Sequence, residues 1–162
     1  MNDGDGVVEL TENYTYVDTD SDSVTAEGVL VPTKISEIRG NGNVIIDASH
    51  KVRIFNITEG HAITITGITF MNGNATTGSG GSINSNGTLT ISNCNFINNT
   101  ASTHGGAVYL GSSASDTITD CTFEGNVAGK NGGAIDWYAG SLNGKVDKSI
   151  FNNNTAKRSG GA

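Results

Sequence analysis

Apolar and polar residues alternate along four similar segments of this chain. In each segment an aliphatic residue, a cysteine or a phenylalanine stands at every second position, and threonine, serine or another polar residue lies between. Alternation with a period of two is typical of β-strands with one buried face. No stretch shows a sustained helical period, and the 23 glycines disfavour long helices. The pattern therefore predicts an all-β protein built from short strands.

One motif returns at a nearly constant interval along these segments. Each copy has a phenylalanine, an asparagine-rich stretch and a Gly-Gly pair, and the phenylalanines are Phe70, Phe96, Phe123 and Phe151. They lie 26, 27 and 28 residues apart. A repeat of this length indicates a solenoid, in which each turn packs on the previous one. Because parallel crossovers between strands are right-handed, we predict a right-handed parallel β-helix of about five or six turns.

Equivalent residues of successive turns are expected to stack into columns. The predicted inward columns are the phenylalanines, the set Ile65, Ile91, Ile118 and Val146, and the set Ile83, Val108 and Ile135. The extra polar residue between neighbouring strands, as at Asn93, predicts a corner, and each Gly-Gly pair predicts another. We assign residues 37–162 to the β-helix and residues 1–36 to an acidic capping region with the first strands, in one continuous domain.

The repeat motif resembles that of two groups of surface proteins. Gly-Gly-Ala before an aliphatic residue, together with Phe-x-x-Asn, resembles the repeat of the chlamydial polymorphic membrane proteins and of the adhesin-like surface proteins of methanogenic archaea. The motif occurs at Phe96–Asn99 with Gly105–Val108, at Phe123–Asn126 with Gly132–Ile135, and at Phe151–Asn154. The first copy departs from it at Gly73 and Ser82. Residues 38–47 resemble the opening turn of pectin-lyase-like β-helices. The resemblance implies surface display and adhesion.

Charge and hydropathy narrow the classes of partner. The formal net charge is −7, and eight acidic residues precede the first basic residue, Lys34. This balance disfavours nucleic acid as a partner. No apolar run reaches the length of a membrane span. We therefore expect no membrane-spanning part in this segment, and the resemblance implies a location at the cell surface. The last residues, 160–162, stop within a repeat, so we expect this segment to belong to a longer protein.

The repeats show no arrangement of residues that is typical of an enzyme. Glycoside hydrolysis needs two carboxylates at a controlled separation, and lyases need a base with acidic calcium ligands. No column stacks two acids, so we interpret Asp116 and Asp120 as solvated corner acids. His50, His61 and His104 fall at different repeat positions and are interpreted as surface or corner residues. We predict no enzyme and no cofactor, and the alternative is a fragment of a carbohydrate-active β-helix enzyme.

Two further sequence features are candidate binding sites, one for calcium and one for ice. Asp18, Asp20 and Asp22 alternate as the oxygen ligands of a calcium loop do, but Ser23 and Val29 replace the glycine and glutamate of that motif. A solvated acidic loop is the preferred interpretation. The outward hydroxyls of the repeats would form a flat array of the ice-binding kind, at Thr64, Thr66, Thr90, Ser92, Thr117 and Thr119. The fourth turn interrupts this array, and threonine is in any case common in strands.

The two cysteines, Cys94 and Cys121, occupy the same repeat position. We expect their side chains to stack inward on adjacent turns as small buried apolar groups. A disulfide is the alternative, because in-register parallel strands bring Cα atoms to about 4.8 Å. Since the two Cβ vectors would run parallel rather than converge, we predict that both thiols are reduced.

Four residues next to the Gly-Gly corners are the candidate binding residues. They are Tyr109, Asp136, Trp137 and Tyr138. Alternation points Tyr109 and Asp136 outward, and exposed aromatic rings suit contact with a sugar or a protein. The alternative for Trp137 is that it fills a corner. We predict a non-catalytic adhesin-like segment that binds a glycan or protein of another cell, with a purely structural spacer as a further alternative.

Overall fold

The computed structural model describes residues 6–22, 25, 27–111, 115–138 and 144–161. Its strands are β1 (Val7–Glu9), β2 (Tyr14–Thr15), β3 (Val29–Leu30), β4 (Glu37–Asp47), β5 (Phe55–Ile57), β6 (Ala62–Met71), β7 (Asn74–Ala75), β8 (Ile83–Ser85), β9 (Thr88–Ser92), β10 (Asn95–Ile97), β11 (Thr100–Ala101), β12 (Val108–Leu110), β13 (Thr117–Thr119), β14 (Thr122–Glu124), β15 (Val127–Ala128), β16 (Ile135–Trp137), β17 (Lys145–Asp147), β18 (Ile150–Asn152) and β19 (Thr155–Ala156). A short 3₁₀ helix spans Asp18–Asp22. The described residues include no helix with the length and apolar character that crossing a membrane requires.

The strands form three sheets of ten, four and five strands. In the ten-stranded sheet, β4 and β6 run around a corner and so belong to two sides of the coil. The strands of successive turns pair in parallel with one another. For example, β12 pairs with β8 on one side and with β16 on the other. The strands β1, β2 and β3 pair with β4 and β5, so the N-terminal segment packs on the same coil. The predicted all-β parallel solenoid is confirmed, with about five turns.

The predicted inward columns are confirmed by the register of the strands. Phe70, Phe96 and Phe123 are fully buried and pair turn by turn with Phe151. Their ring centroids are 5.1, 4.7 and 4.9 Å apart and the last three rings are parallel within 4°. Phe151 is only half-buried, because no further described turn covers it. The aliphatic columns follow the same register.

The corners explain the polar and glycine positions of the repeat. The predicted corner residues Gly67, Asn93, Asp120 and Lys148 all have positive φ, between 47° and 66°. The first glycine of each Gly-Gly pair also has positive φ, 60° at Gly105 for example. The second glycine is needed for close approach, since a Cβ on Gly106 would lie 2.0 Å from the Gly133 carbonyl oxygen. The predicted corner is therefore present, and the first glycine forms it by its positive φ and the second by close backbone approach.

The asparagine of Phe-x-x-Asn forms an internal hydrogen-bonded ladder. The side chains of Asn99 and Asn126 are fully buried, and Asn99 Nδ2 donates to Asn126 Oδ1 at 2.9 Å. Asn126 Nδ2 donates in turn to Asn154 Oδ1, also at 2.9 Å. Each of these amides also bonds the backbone of a neighbouring turn, as Asn126 Nδ2 does with Phe96 O at 3.0 Å. The ladder satisfies buried polar groups that would otherwise destabilise the corner.

Two residues interpreted as solvated lie in the interior. Asp116 is fully buried, and its Oδ1 accepts a hydrogen bond from Leu89 N at 2.8 Å. It stands at the inward position that Leu89 occupies one turn earlier, so the prediction of a solvated corner acid is wrong for it. His61 is also buried, with Nε2 2.6 Å from Ile35 O, and the surface interpretation is wrong there too. Asp120 is exposed at its corner, as predicted.

Both cysteines are free thiols in the interior. Cys94 and Cys121 are 1% and 2% exposed, and their Sγ atoms donate to Ser92 O at 3.3 Å and Thr119 O at 3.1 Å. Burial is the main cause that raises the pKa of the Cys94 thiol to about 12 and that of Cys121 to about 11. The thiolate is the reactive form, so both side chains are protected in the folded chain.

The raised thiol pKa values predict a loss of stability at high pH. The folded state holds the thiol protons more tightly than the unfolded chain, whose thiol pKa is near the ordinary 9.0. The contribution is complete below pH 9 and is lost as the pH rises through the folded pKa values. We expect the free energy of unfolding, measured in urea, to fall more steeply between pH 9 and 11 for the wild type than for Cys94→Val. Equal slopes for the two proteins would contradict the burial of an ionisable thiol.

Candidate binding site

Two candidate residues lie side by side on the outer face of the five-stranded sheet. Tyr109 in β12 pairs directly with Asp136 in β16. Both point away from the core, because Val108 and Ile135 before them belong to an inward column. The same outward column continues to Asn84 one turn earlier. The predicted outward orientation of Tyr109 and Asp136 is therefore present, and Asn84 adds an amide beside them.

His104 completes the cluster, although the sequence analysis assigned it only to the surface or a corner and not to the binding residues. Its Nδ1 lies 2.8 Å from Asp136 Oδ2, and its ring centroid lies 6.2 Å from that of Tyr109. Side chains of His104 and Asp136 are 27% and 15% exposed, so the pair is partly shielded from solvent. His104 precedes Gly105, whose corner folds it back beside the next turn. Its position just before a Gly-Gly pair was the available signal.

Tyr138 forms the exposed edge of the cluster. It is 61% exposed, and its ring centroid lies 6.4 Å from that of Tyr109 at an interplanar angle of 39°. Its backbone N–H donates to Leu110 O at 2.9 Å, which holds the residue against the neighbouring turn. Burial first, and then the charge of Asp136, raises the pKa of Tyr109. The Tyr109 hydroxyl therefore stays protonated and able to donate at neutral pH.

Trp137 is not brought together with the two tyrosines. It pairs with Leu110, a buried residue, so it occupies an inward position. With Ile135, Val146 and Phe151 it lines an apolar recess at the C-terminal end of the coil. Its Nε1 is buried and has no hydrogen-bond partner among the residues that the structure describes. Trp137 therefore fills space inside the coil, beneath the surface that carries Tyr109, rather than the corner that was considered as the alternative.

Two aspartates of the acidic loop near the N-terminus bind other groups of this chain. Asp20 Oδ2 accepts hydrogen bonds from the Tyr14 hydroxyl at 2.5 Å and from Val17 N at 2.8 Å. These bonds lower the pKa of Asp20. Asp18 pairs with Lys51 at 3.4 Å. The side chain of Asp22 and residue Ser23 lie outside the described residues, and the part that is described contains no group of three potential metal ligands.

The hydroxyl array runs along a different side of the coil. The register places Thr64, Thr90 and Thr117 in one outward column, and Lys145 continues that column. Asp147 continues the neighbouring column in the same way. The predicted interruption in the fourth turn is therefore present. The candidate binding residues lie on the five-stranded sheet and so do not share this surface.

Part of the repeat region matches a known repeat family. Residues 93–111, 120–136 and 148–162 match the family model of the Chlamydia polymorphic membrane protein repeat. The first two stretches include Tyr109 and Asp136. The copy at Phe70, which departs from the motif at Gly73 and Ser82, lies outside the matched residues. No curated protein and no solved structure matches the chain significantly. These three stretches confirm part of the resemblance seen in the sequence: this region of the chain is similar to the Chlamydia polymorphic membrane protein repeat.

Proposed function

We propose that this chain is a non-catalytic segment of an adhesin-like cell-surface protein that binds a glycan or protein of another cell. The observation that carries the proposal is the cluster of Tyr109, His104, Asp136 and Tyr138 on the outer face of the coil. The match to a repeat of membrane proteins supports a location at the envelope surface. The resemblance to archaeal adhesin-like proteins remains a prediction that agrees with it.

The chemistry of the cluster suits the surface of a sugar. A pyranose has an apolar face of C–H groups and an edge of hydroxyls, and it therefore binds best where an aromatic ring lies next to hydrogen-bonding groups. The exposed ring of Tyr138 supplies the apolar face. Asp136 supplies an acceptor, and the Tyr109 hydroxyl and the Asn84 amide supply donors. Trp137 is proposed to support this surface from the inside of the coil.

Contacts within the chain hold Tyr109 and Asp136 in place. Tyr109 and Asp136 belong to paired strands whose register is fixed by the buried columns beneath them. The carboxylate of Asp136 is oriented by His104, and Tyr138 is held by its backbone hydrogen bond. Preorganised side chains lose little conformational entropy on binding, which favours recognition even by a small site.

Among the described residues, neither Asp116 nor Asp136 has a second free carboxylate beside it, as glycoside hydrolysis requires. Asp116 is buried, and one of its oxygens is bound by the backbone of the previous turn. Asp136 is paired with His104. This arrangement favours binding without bond cleavage. New reducing ends released from a polysaccharide, and lost in the Asp136→Asn variant, would favour the enzyme alternative instead.

A glycan array tests the proposed site. We expect a fluorescent multivalent form of the wild-type segment to bind a subset of glycans, and Asp136→Asn to weaken that binding about tenfold or more, since it removes a charged acceptor. Glu124→Gln is the matched control, because Glu124 is an exposed acid of β14 in the ten-stranded sheet, away from the sheet that carries Asp136. Equal loss in both variants, or no loss in Asp136→Asn, would contradict the assignment of the site.

A further inference from the structure

Three basic residues lie together at one corner of the coil. This corner joins the four-stranded sheet to the five-stranded sheet, and Lys130 lies there between β15 and β16. Lys157 and Arg158 follow β19 at the same corner one turn later. Arg158 N donates to Lys130 O at 2.9 Å, so these two residues stack on successive turns, about 4.8 Å apart. The three residues are called the basic corner below.

The side chains of the basic corner are available to a ligand. All three residues are exposed. Within the described part of the chain, no ion pair involves any of them. Lys130 is exposed although a further turn packs directly on it, so the corner faces solvent along the side of the coil and not at its end. Exposed cations on neighbouring turns suit a ligand that carries several negative charges.

The acidic charge of the chain lies elsewhere. Residues 1–59 contain eleven acidic and four basic residues, whereas residues 60–162 contain five of each. Of the five acids in the second part, Asp116 is buried, and Asp136 and Asp147 each lie beside a basic side chain. Charges more than about 8 Å apart are largely screened at physiological ionic strength, so the local charge decides which ligand binds. The net charge of −7 therefore does not disfavour an anionic ligand at this corner.

The basic corner adjoins the candidate site. Lys130 N donates to Thr103 O at 2.7 Å, so Lys130 stacks on the residue next to His104. The ring centroid of His104 lies 6.2 Å from that of Tyr109, and its Nδ1 lies 2.8 Å from Asp136 Oδ2. One continuous surface therefore runs from the basic corner past His104 to the tyrosines.

Neutral polar groups lie between the two parts of this surface. Asn131 follows Lys130 and pairs with Ser159 one turn later. Gly105 N donates to Asn131 O at 3.0 Å, which places Asn131 beside His104. Amide and hydroxyl side chains suit the hydroxyls of a sugar. A protein interface would instead favour apolar residues at its centre and few lysines, so the composition of this surface favours a glycan.

We propose that the ligand of this surface is an acidic polysaccharide, whose carboxylate or sulfate groups bind the basic corner while a neighbouring sugar ring lies on Tyr138. This inference rests on the proposed glycan-binding site and names its class of glycan. Arg158 presents a planar fork that binds oxyanions through two parallel hydrogen bonds, and Lys130 adds a cation on the turn before. The carboxylate of Asp136 is shared with His104, so the unpaired charge of this surface is positive.

Binding to immobilised polysaccharides tests the class of ligand. A tetravalent form of the wild-type segment is passed over heparin, polygalacturonate and dextran, which carry sulfate with carboxylate, carboxylate alone and no charge. We expect binding to at least one acidic polysaccharide to be about tenfold tighter than to dextran, and to weaken as salt is added. Binding to heparin alone would identify sulfate as the bound group, and binding to both would identify carboxylate. Equal binding to dextran, or no binding to either acidic polysaccharide, would overturn the inference.

The double variant Lys130→Gln, Arg158→Gln tests the basic corner. It should weaken binding to the acidic polysaccharide about fivefold or more, because two charge-assisted contacts are lost. Lys145→Gln, Lys148→Gln is the matched control, since it removes the same charge from β17 and the corner after it, in the ten-stranded sheet. The control should bind as the wild type does. Unchanged binding by the basic-corner variant, or equal losses in both variants, would overturn the inference, and circular dichroism confirms that each variant is folded.

The two proposals fail in different ways. The Tyr109→Ala, Tyr138→Ala variant removes the aromatic surface and keeps the basic corner. If only the basic-corner variant loses affinity for the acidic polysaccharide, the aromatic site of the proposed function is wrong and the charge requirement is supported. If only the tyrosine variant loses affinity, the proposed site is supported and the present inference is wrong. Binding to duplex DNA as tight as to heparin would show a general polyanion surface and would overturn the assignment to a glycan.

Discussion

Phe123→Ala is expected to lower the free energy of unfolding by about 3–5 kcal/mol, the usual loss when a buried phenylalanine is truncated in a packed core. The Phe123 ring is fully buried between Phe96 and Phe151, with centroids 4.7 and 4.9 Å away. Its removal leaves a gap in the middle of the stack, and strand pairing on both sides keeps the turns from closing that gap. Urea denaturation monitored by circular dichroism measures the change.

The end of the stack supplies the matched control. Phe151 is half-buried and has a stacked ring on one side only. Phe151→Ala should therefore cost clearly less than Phe123→Ala, because less apolar surface returns to water. Similar losses for the two variants, or no loss for Phe123→Ala, would contradict the description of the phenylalanine column as the continuous core of the coil.

Asn126→Ala is expected to have the second largest effect, about 2–5 kcal/mol, since buried polar groups left without partners cost about 1–3 kcal/mol each. Asn126 Oδ1 accepts a hydrogen bond from Asn99 N at 2.9 Å, and its Nδ2 donates to Phe96 O at 3.0 Å. Alanine leaves the buried Asn99 N–H without this acceptor and removes the acceptor of Asn99 Nδ2 as well. It also interrupts the ladder between Asn99 and Asn154.

A control variant at an exposed asparagine of the next repeat shows whether the loss of stability depends on burial in the ladder. Asn152 in β18 is exposed, so Asn152→Ala should change the free energy of unfolding by less than about 0.5 kcal/mol. Equal stability of Asn126→Ala and the wild type would mean that the ladder contributes nothing to the fold. Hydrogen exchange at the Asn99 amide gives an independent measure, because that N–H loses its acceptor.

The columns of the coil were predictable because the repeat has a nearly constant length and one strict alternation. Once Phe96 and Phe123 are taken as equivalent, the register of every neighbouring strand follows. The corners were predictable for the same reason, since the residue at Asn93 interrupts the alternation at the same place in each turn. Their positive φ values, 52° at Asn93, show the backbone conformation that the interruption requires.

Asp116 and His61 were not predictable from residue type, because ionisable residues are usually exposed. Alternation already placed Asp116 in the column of Leu89, but its carboxylate was expected to reach water. In the structure its Oδ1 accepts a hydrogen bond from the Leu89 amide of the previous turn, whereas Oδ2 is buried without a partner among the described residues. His61 uses its ring in a similar way toward Ile35 O.

The candidate site was predictable in part. Strict alternation orients Tyr109 and Asp136 outward, and the register agrees with both orientations, whereas Trp137 pairs with the buried Leu110 and lies inward. Grouping Trp137 with the tyrosines followed from its aromatic character rather than from its position in the strand. The contact between His104 and Asp136 joins residues 32 positions apart and depends on how the Gly-Gly corner returns the chain. No local pattern in the sequence encodes that distance.

Attachment to cells is the most direct test of the proposed role. Beads coated densely with the wild-type segment should bind target cells, because many weak sites act together. Beads coated with the Tyr109→Ala, Tyr138→Ala double variant should bind several-fold fewer cells at the same coating density, since that variant removes the aromatic surface beside Asp136. Equal binding by the two kinds of bead would remove these tyrosines from the site. Binding by the wild type no greater than by an unrelated acidic β-helix would contradict adhesion and leave this segment as a spacer.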